Sequence, residues 1–250
     1  MPRSRCHFAL LSALHKRLRV EQPKAAALAD RYLSDFVAGS TAPDGLRYVG
    51  EAGKLATHFY TDEQEETWGQ AVARMFRAHP DLADPDRLRE RDLALVLGYI
   101  SHLTVDEAFR DVVTSQLHGM ADWRPVVQGL WSMVDELPVG YSDVAGAIDR
   151  FSRKDRVGFI DCGMVGEFLT LIRPWATEED PWRLERIFLT LTRSRVPLEE
   201  ARQRWEANRQ RAAAFMDNAR RERFVGEALR MGAEEMARYL ESGYSGPHTQ

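Results

Sequence analysis

The residues best suited to metal chemistry in this sequence are histidines and aspartates spaced four positions apart. His102 and Asp106 form one such pair, and His118 and Asp122 form another. Because side chains at positions i and i+4 share one face of a helix, each pair could offer two ligands to one ion. The second pair could equally end one helix and cap the next. We interpret the first pair as the centre of a metal site, since imidazole nitrogen and carboxylate oxygen both bind zinc.

The helix face that carries His102 and Asp106 is otherwise apolar, which predicts that it points into the protein. Its other members include Leu95, Phe109 and Val113. A buried carboxylate is unfavourable unless it is paired or bound to a metal. Arg110 is the one cation a turn away on this face, and Gly98 leaves room for another backbone or for an ion. This pattern favours a metal site.

Three residues outside this helix could complete the site. His7 lies on the apolar face of the predicted first helix, Asp44 follows Pro43 in a predicted stiff turn, and His58 lies where a loop could aim it. Each has a simpler explanation by itself, such as a hydrogen-bonded core histidine or an ordinary turn aspartate. One shared site explains all of them together. The predicted ligands are therefore His7, Asp44, His58, His102 and Asp106.

Helical periodicity dominates the chain and predicts an all-α fold that would hold these residues. Apolar steps of three and four predict helices over residues 7–20, 24–38, 87–117, 123–136, 142–152, 163–172, 181–192 and 197–242. The run from Thr61 to Gln64 fits a capping box, so a further helix is expected to extend to about residue 78. Residues 40–57 are predicted to form a loop because they contain Pro43 and three glycines. Residues 157–160 are a weak strand candidate.

Composition narrows the class of protein. The 250 residues suffice for one large helical domain, or for one domain with a helical extension. A net charge of -4 gives no electrostatic case for nucleic-acid binding. We see neither a leader-like segment nor a run long enough to cross a membrane, so a cytoplasmic location is expected. Cys6 and Cys162 are expected to be free thiols.

The motifs also occur in a specific order along the first half of the chain. A histidine near the N-terminus is followed by Ala42-Pro43-Asp44, then by Thr57-His58-Phe59, and then by a run from Leu97 to Asp106 that includes Gly-Tyr-Ile-Ser-His-Leu. This order resembles the bacterial zinc-dependent phospholipase C family, including its uncharacterised cytoplasmic branch. The resemblance implies a multi-helix bundle around a metal site, and an activity on phosphodiester bonds of phospholipids with up to three zinc ions.

The resemblance also implies roles for individual residues. Asp44, His58, His102 and Asp106 would hold one zinc, while Asp106 would bridge to a second zinc that His7 also binds. Asp44 is the matching general base, and His118 and Asp122 match part of a third site. That third site lacks an obvious second histidine, so two ions are expected and a third is an option. Residues 1–138 would form the metal-binding core, with residues 139–250 as a helical part packed on it.

Three functions are compatible with these patterns. The first is a metal-dependent hydrolase acting on a small-molecule or lipid phosphate ester. The second is a different metal-dependent enzyme on the same fold, such as a biosynthetic hydrolase, lyase or cyclase, because fold and metal do not determine the substrate. The third is a non-enzymatic interaction protein with a structural metal, whose charged helices over residues 199–241 could form a homodimer. Zinc is the expected ion, and iron or manganese suits the same ligands.

Overall fold

The computed structural model describes residues 2–61, 64–140 and 143–244. Within these ranges the chain is all-α, as predicted, apart from one antiparallel hairpin of β1 (Arg156–Val157) and β2 (Ile160–Asp161). The helices are α1 (Ser4–Glu21), α2 (Pro23–Arg31), α3 (Leu33–Gly39), α4 (Ala42–Tyr48), α5 (Lys54–His58), α6 (Ala71–Ala78), α7 (Glu90–Phe109), α8 (Trp123–Val134), α9 (Val144–Arg150), α10 (Cys162–Ile172), α11 (Pro181–Leu191), α12 (Leu198–Ala212) and α13 (Asn218–Ser242).

Helix α7 is the centre of the fold. Every one of its residues from Asp92 to Phe109 is buried. A helix that is apolar around its whole circumference must be covered on all sides, and α1, α2, α3, α6 and α13 pack around this one. The chain continues beyond α7 as a π-helical turn, Arg110–Thr114, and a short 3₁₀ turn, Ser115–Leu117. The residues predicted to bind metal on α7 therefore lie deep inside the protein.

The C-terminal half packs on the same core. Helix α13 lies against α7 and α1, and its Tyr239 ring stacks on Phe76 of α6 with centroids 4.6 Å apart. Helix α12 packs against α8 instead, where Trp205 donates a hydrogen bond of 2.7 Å to Ser132. The division of the chain at residue 138 stays a prediction.

Two predictions made for the region between residues 40 and 78 are wrong. Residues 40–57 contain helices α4 and α5, because Pro43 lies in the first turn of α4, where a missing N–H leaves no hydrogen bond unmade. Thr61 and Gln64 form an isolated β-bridge where a helix start was expected, and α6 begins at Ala71. Asp62 and Glu63 of the predicted capping box lie outside the described residues. Asp44 is thus carried by a helix, and His58 is the last residue of one.

The longest predicted helices are interrupted. The expected helix over residues 24–38 is divided into α2 and α3 at Tyr32, which has non-helical backbone angles. Residues 197–242 form α12 and α13, separated by a 3₁₀ turn at Ala213–Phe215 and by Asp217, which caps α13. The strand candidate was correct, since Val157 pairs with Ile160. Cys6 and Cys162 are buried and free. Within the described ranges, no helix combines the length and apolarity needed to cross a bilayer.

Candidate metal centre

The fold brings the five predicted ligands together from four helices. His7 lies on α1, Asp44 on α4, His58 at the end of α5, and His102 and Asp106 one turn apart on α7. None of the five is more than 5% exposed to solvent. The His7 and His102 rings are stacked face to face, with centroids 3.8 Å apart and planes 5° from parallel. The cluster is therefore compact and buried.

Asp106 lies between the three histidines. Its Oδ1 is 3.5 Å from Nε2 of His7, and its Oδ2 is 3.7 Å from Nε2 of His102 and 3.8 Å from Nε2 of His58. His58 Nε2 is in turn 3.6 Å from Oδ1 of Asp44. Direct hydrogen bonds are about 2.7–3.2 Å long. These polar atoms therefore face one another across gaps that are too wide for hydrogen bonding.

Several of the facing atoms have no hydrogen-bond partner in the described part of the chain. They are Nδ1 and Nε2 of His7, Nε2 of His58, Nε2 of His102 and Oδ1 of Asp106. Leaving a buried polar atom unpaired costs about 1–3 kcal/mol. Four of these atoms, the Nε2 atoms of the three histidines and Oδ1 of Asp106, lie within this cluster, and a common partner explains them better than four independent defects.

Neighbouring groups fix the orientation of the ligands. Nδ1 of His102 lies 2.8 Å from the Ser40 carbonyl oxygen, which can only accept, so this ring nitrogen carries the proton and Nε2 carries the lone pair. Nδ1 of His58 lies 2.8 Å from the Thr57 hydroxyl, which leaves its Nε2 directed at the cluster. The Tyr60 hydroxyl donates a hydrogen bond of 3.3 Å to Oδ2 of Asp106. Supporting partners of this kind are typical of metal ligands.

The electrostatics of the cluster favour the metal-binding forms of three ligands, His7, His58 and Asp44. Burial lowers the pKa of His7 well below its usual value, and the neighbouring His102 lowers it further. Burial also lowers the pKa of His58. Burial by itself raises the pKa of Asp44, but the nearby His58 and His102 rings outweigh it and hold this pKa below the usual range. Neutral imidazole and ionised carboxylate are the forms that bind metals.

These residues fit a divalent cation. Ligand atoms around a tetrahedral zinc with bonds of about 2.0–2.1 Å are about 3.3 Å apart, which is near the observed 3.5–3.8 Å gaps. Two overlapping groups have ligand atoms within 4.8 Å of one another: His7, His102 and Asp106, and Asp44, His58 and His102. His102 can give its single Nε2 lone pair to only one ion. Two ions would therefore need the other ligands as well, and Asp106 offers one oxygen near His7 and the other near His58 and His102.

No protein-family model, curated protein or solved structure matches this chain. The chemistry of the centre must therefore be inferred from its own atoms. Two structural features define the metal centre: the unpartnered ring nitrogens of the histidines and the Asp106 carboxylate between them. The donor set of three imidazoles and two carboxylates suits zinc, and it is also compatible with iron or manganese.

The other described histidines lie apart from this cluster. His118 is exposed in the segment after the 3₁₀ turn, and Asp122 is an exposed residue before α8 whose side chain makes no capping hydrogen bond. Neither belongs to a metal-binding group among the described residues. His15 is buried, with Nε2 3.0 Å from Oδ1 of Asp30. His248 lies outside the described residues.

A large cavity opens beside the centre at Asp44. Its volume is about 1080 Å³, and Asp44 is the one predicted ligand of the buried cluster among its lining residues. Aromatic rings dominate its walls, so we call it the aromatic cavity: Tyr48, Trp68, Trp123, Trp131, Phe168, Trp175 and Phe188. The Ser4 hydroxyl, also in the lining, lies 3.5 Å from Oδ2 of Asp44. A bound molecule would therefore reach the metal ligands from the Asp44 side.

Four cationic side chains also line the aromatic cavity. Arg3 is paired with Glu185 at 2.7 Å, and Arg110 is paired with Asp111. Lys54 lies 4.3 Å from the centre of the Tyr60 ring. Arg47 follows Asp44 by one helical turn and has no carboxylate partner within the described residues. Arg47 is the cation best placed to meet an anionic group near Asp44.

The sequence motifs did not reveal the residues that support the ligands. Thr57 and Tyr60 flank His58 within two positions, so proximity to a predicted ligand was the only available clue. Ser40 orients His102 through its backbone carbonyl. Every residue has this group, so the identity of the side chain could not have indicated the role. Arg47 could have been found once α4 was known to be a helix, because positions 44 and 47 then share a face.

Proposed function

We propose that this protein is a metal-dependent hydrolase that acts on a phosphate ester. The observation that supports it best is the convergence of three imidazoles and two carboxylates, with unpartnered ligand atoms, at the end of a large cavity. The order of the sequence motifs, which resembles zinc-dependent phospholipase C, supports the same reaction class. Zinc is the proposed ion, and two ions are proposed with Asp106 between them.

Different residues of the chain would have different roles in such a reaction. When bound, a pair of divalent ions neutralises phosphoryl charge and lowers the pKa of water from about 15.7 toward about 7. Asp44 lies at the boundary between the ligand cluster and the aromatic cavity, and it would accept the proton of an attacking water. Arg47 would hold a phosphate oxygen, since guanidinium groups bind phosphate through paired hydrogen bonds.

The aromatic cavity suggests the shape of the substrate. Its volume of about 1080 Å³ lies just above the range of about 300–1,000 Å³ that is usual for small-molecule pockets. Aromatic walls would bury an apolar part of the substrate, whereas Arg47 and Asp44 would meet its phosphate. We therefore propose a phosphodiester that carries at least one apolar group.

The test begins with elemental analysis of untagged protein purified without chelators. Hydrolysis of bis(para-nitrophenyl) phosphate and of para-nitrophenyl phosphate is then measured with protein loaded with zinc, iron or manganese. We expect metal-dependent cleavage of the diester, abolished by chelation and restored by metal. Glu65→Gln serves as a control variant, because Glu65 lines the same cavity but lies outside the ligand cluster. Its metal-dependent cleavage of the diester should match that of the parent protein. Metal-loaded protein that cleaves neither ester would contradict the proposal.

A further inference from the structure

A second cavity lies on the other side of the His58 segment. Its volume is about 670 Å³, and none of its described lining residues also lines the aromatic cavity. Thr57 lines it, and the following residue, His58, belongs to the metal centre. Three arginines contribute to its walls, so we call it the arginine cavity: Arg74, Arg77 and Arg156.

The charges that line the arginine cavity do not cancel. None of the three arginines has a carboxylate partner within the described ranges. Among the described lining residues the one acidic side chain is Asp161, and its Oδ1 already accepts a hydrogen bond of 3.1 Å from the backbone of Met164 at the start of α10. Three guanidinium groups against one carboxylate leave a net charge of +2. Such a cavity attracts anions.

The arginines come from two separate elements held together by a ring stack. Arg74 and Arg77 lie three positions apart on α6, so they are neighbours on one helix face. Arg156 belongs to β1 of the hairpin. The His79 ring, directly after α6, stacks on Phe159 of the hairpin turn with centroids 3.9 Å apart and planes 18° from parallel. This contact fixes the helix against the hairpin and so forms the two walls of the cavity.

The rest of the lining is apolar and partly open to solvent. It includes Leu46, Phe59 and Phe159, with Leu55 and Met164 38% and 36% exposed. The lining therefore suits a molecule with an anionic end and a flat or chain-like apolar body.

We propose that the arginine cavity binds an organic phosphomonoester with an apolar body. A phosphomonoester dianion matches the excess charge of +2, whereas a single carboxylate would neutralise half of it. Guanidinium groups form paired, charge-assisted hydrogen bonds with phosphate oxygens. The volume of about 670 Å³ lies within the range of about 300–1,000 Å³ for small-molecule sites. This site does not depend on the phosphoesterase activity proposed above.

Calorimetric titration of the full-length, metal-containing protein with phenylphosphonate tests the proposal, because this phosphomonoester analogue cannot be hydrolysed. We expect the double variant Arg74→Gln/Arg77→Gln to bind at least about tenfold more weakly, since two charge-assisted hydrogen bonds are lost. Arg195→Gln, an exposed arginine between α11 and α12, is the matched control and should bind as the parent does. Arg77→Glu is a single substitution at an exposed position, and it should also weaken the binding of phenylphosphonate.

Binding at the metal centre is distinguished by fluorescence. The aromatic cavity contains four tryptophans and the arginine cavity contains none among its described residues, so occupancy of the arginine cavity should leave tryptophan emission nearly unchanged. Inorganic phosphate should bind more weakly than phenylphosphonate, because it has no apolar body. The proposal is overturned if phenylphosphonate does not bind at about 10 mM, or if the arginine substitutions leave its affinity unchanged.

Discussion

Gly39 and Gly98 bring the backbones of α3 and α7 into direct contact. A Cβ atom at Gly98 would lie 2.1 Å from the carbonyl oxygen of Phe36 and 2.9 Å from Cα of Gly39. The same approach places the carbonyl of Ser40, directly after α3, at 2.8 Å from Nδ1 of His102. Helix packing and the tautomer of a predicted ligand therefore depend on the same pair of glycines.

The first prediction concerns this contact. Gly98→Ala should lower the free energy of unfolding by several kcal/mol, because overpacking two backbones forces the helices apart. Gly226→Ala is the matched control on α13, where an added Cβ would meet no described atom within 4 Å. That change should raise stability by about 0.5–1 kcal/mol, as expected for a helix interior. Thermal unfolding of both variants checks the difference, and equal melting temperatures would contradict it.

The second prediction concerns metal content. Untagged protein should carry close to two equivalents of divalent ion per chain, and His102→Ala should lower both the metal content and the melting temperature. His118→Ala should change neither, because His118 is exposed and lies outside the buried groups. Mass spectrometry of the metals and thermal unfolding provide both measurements. A fully metallated His102→Ala would show that His102 is an ordinary core histidine.

The third prediction separates catalysis from metal binding. Asp44→Asn keeps the size of the side chain and one ligand oxygen but cannot accept a proton. It should retain most metal while losing about 100- to 10,000-fold in rate, the usual contribution of a general base. Asp106→Asn should lose metal instead, since Asp106 lies between all three histidines and a neutral amide bridges cations poorly. If Asp44→Asn is as fast as the parent, Asp44 has no catalytic role.

The fourth prediction uses a buried carboxyl group away from the metal centre. Burial raises the pKa of Asp135 to about 7, although Arg3 at 3.4 Å opposes this shift. Between about pH 4 and pH 7 the folded protein therefore binds a proton that the unfolded chain does not, so this group makes stability fall as pH rises. Asp135→Asn removes the titration. The stability of the variant relative to the parent should increase over this window by at most about 4 kcal/mol.

Urea unfolding at several values between pH 4 and pH 8 measures this difference. Asp149 is a useful comparison, because its exposed carboxylate accepts hydrogen bonds from Arg173 that lower its pKa. Its titration should act in the opposite direction, with stability lost as pH falls, and the effect should be small because solvent screens the pair. A constant difference between Asp135→Asn and the parent at every pH would show that Asp135 stays ionised when folded.

Residue type and local spacing were sufficient to predict the helical class and the buried pair His102 and Asp106. Helical periodicity depends on residues three and four positions apart, and the same rule put His102 and Asp106 on one face. The apolar sequence around them correctly indicated burial. Gly98 was correctly interpreted as making room, and the structure shows that the neighbour is the backbone of α3.

The relationships between distant segments were decided only by the tertiary structure. Pro43 is compatible with either a turn or a first helical turn, and helix α4 packs against α10 and α7, contacts that local composition does not encode. The carbonyl of Ser40 reaches His102 across 62 positions of the chain, and the walls of both cavities come from many separate elements. Hydrogen bonds and cavities of this kind arise when the core closes around α7, so no pattern confined to one segment could predict them.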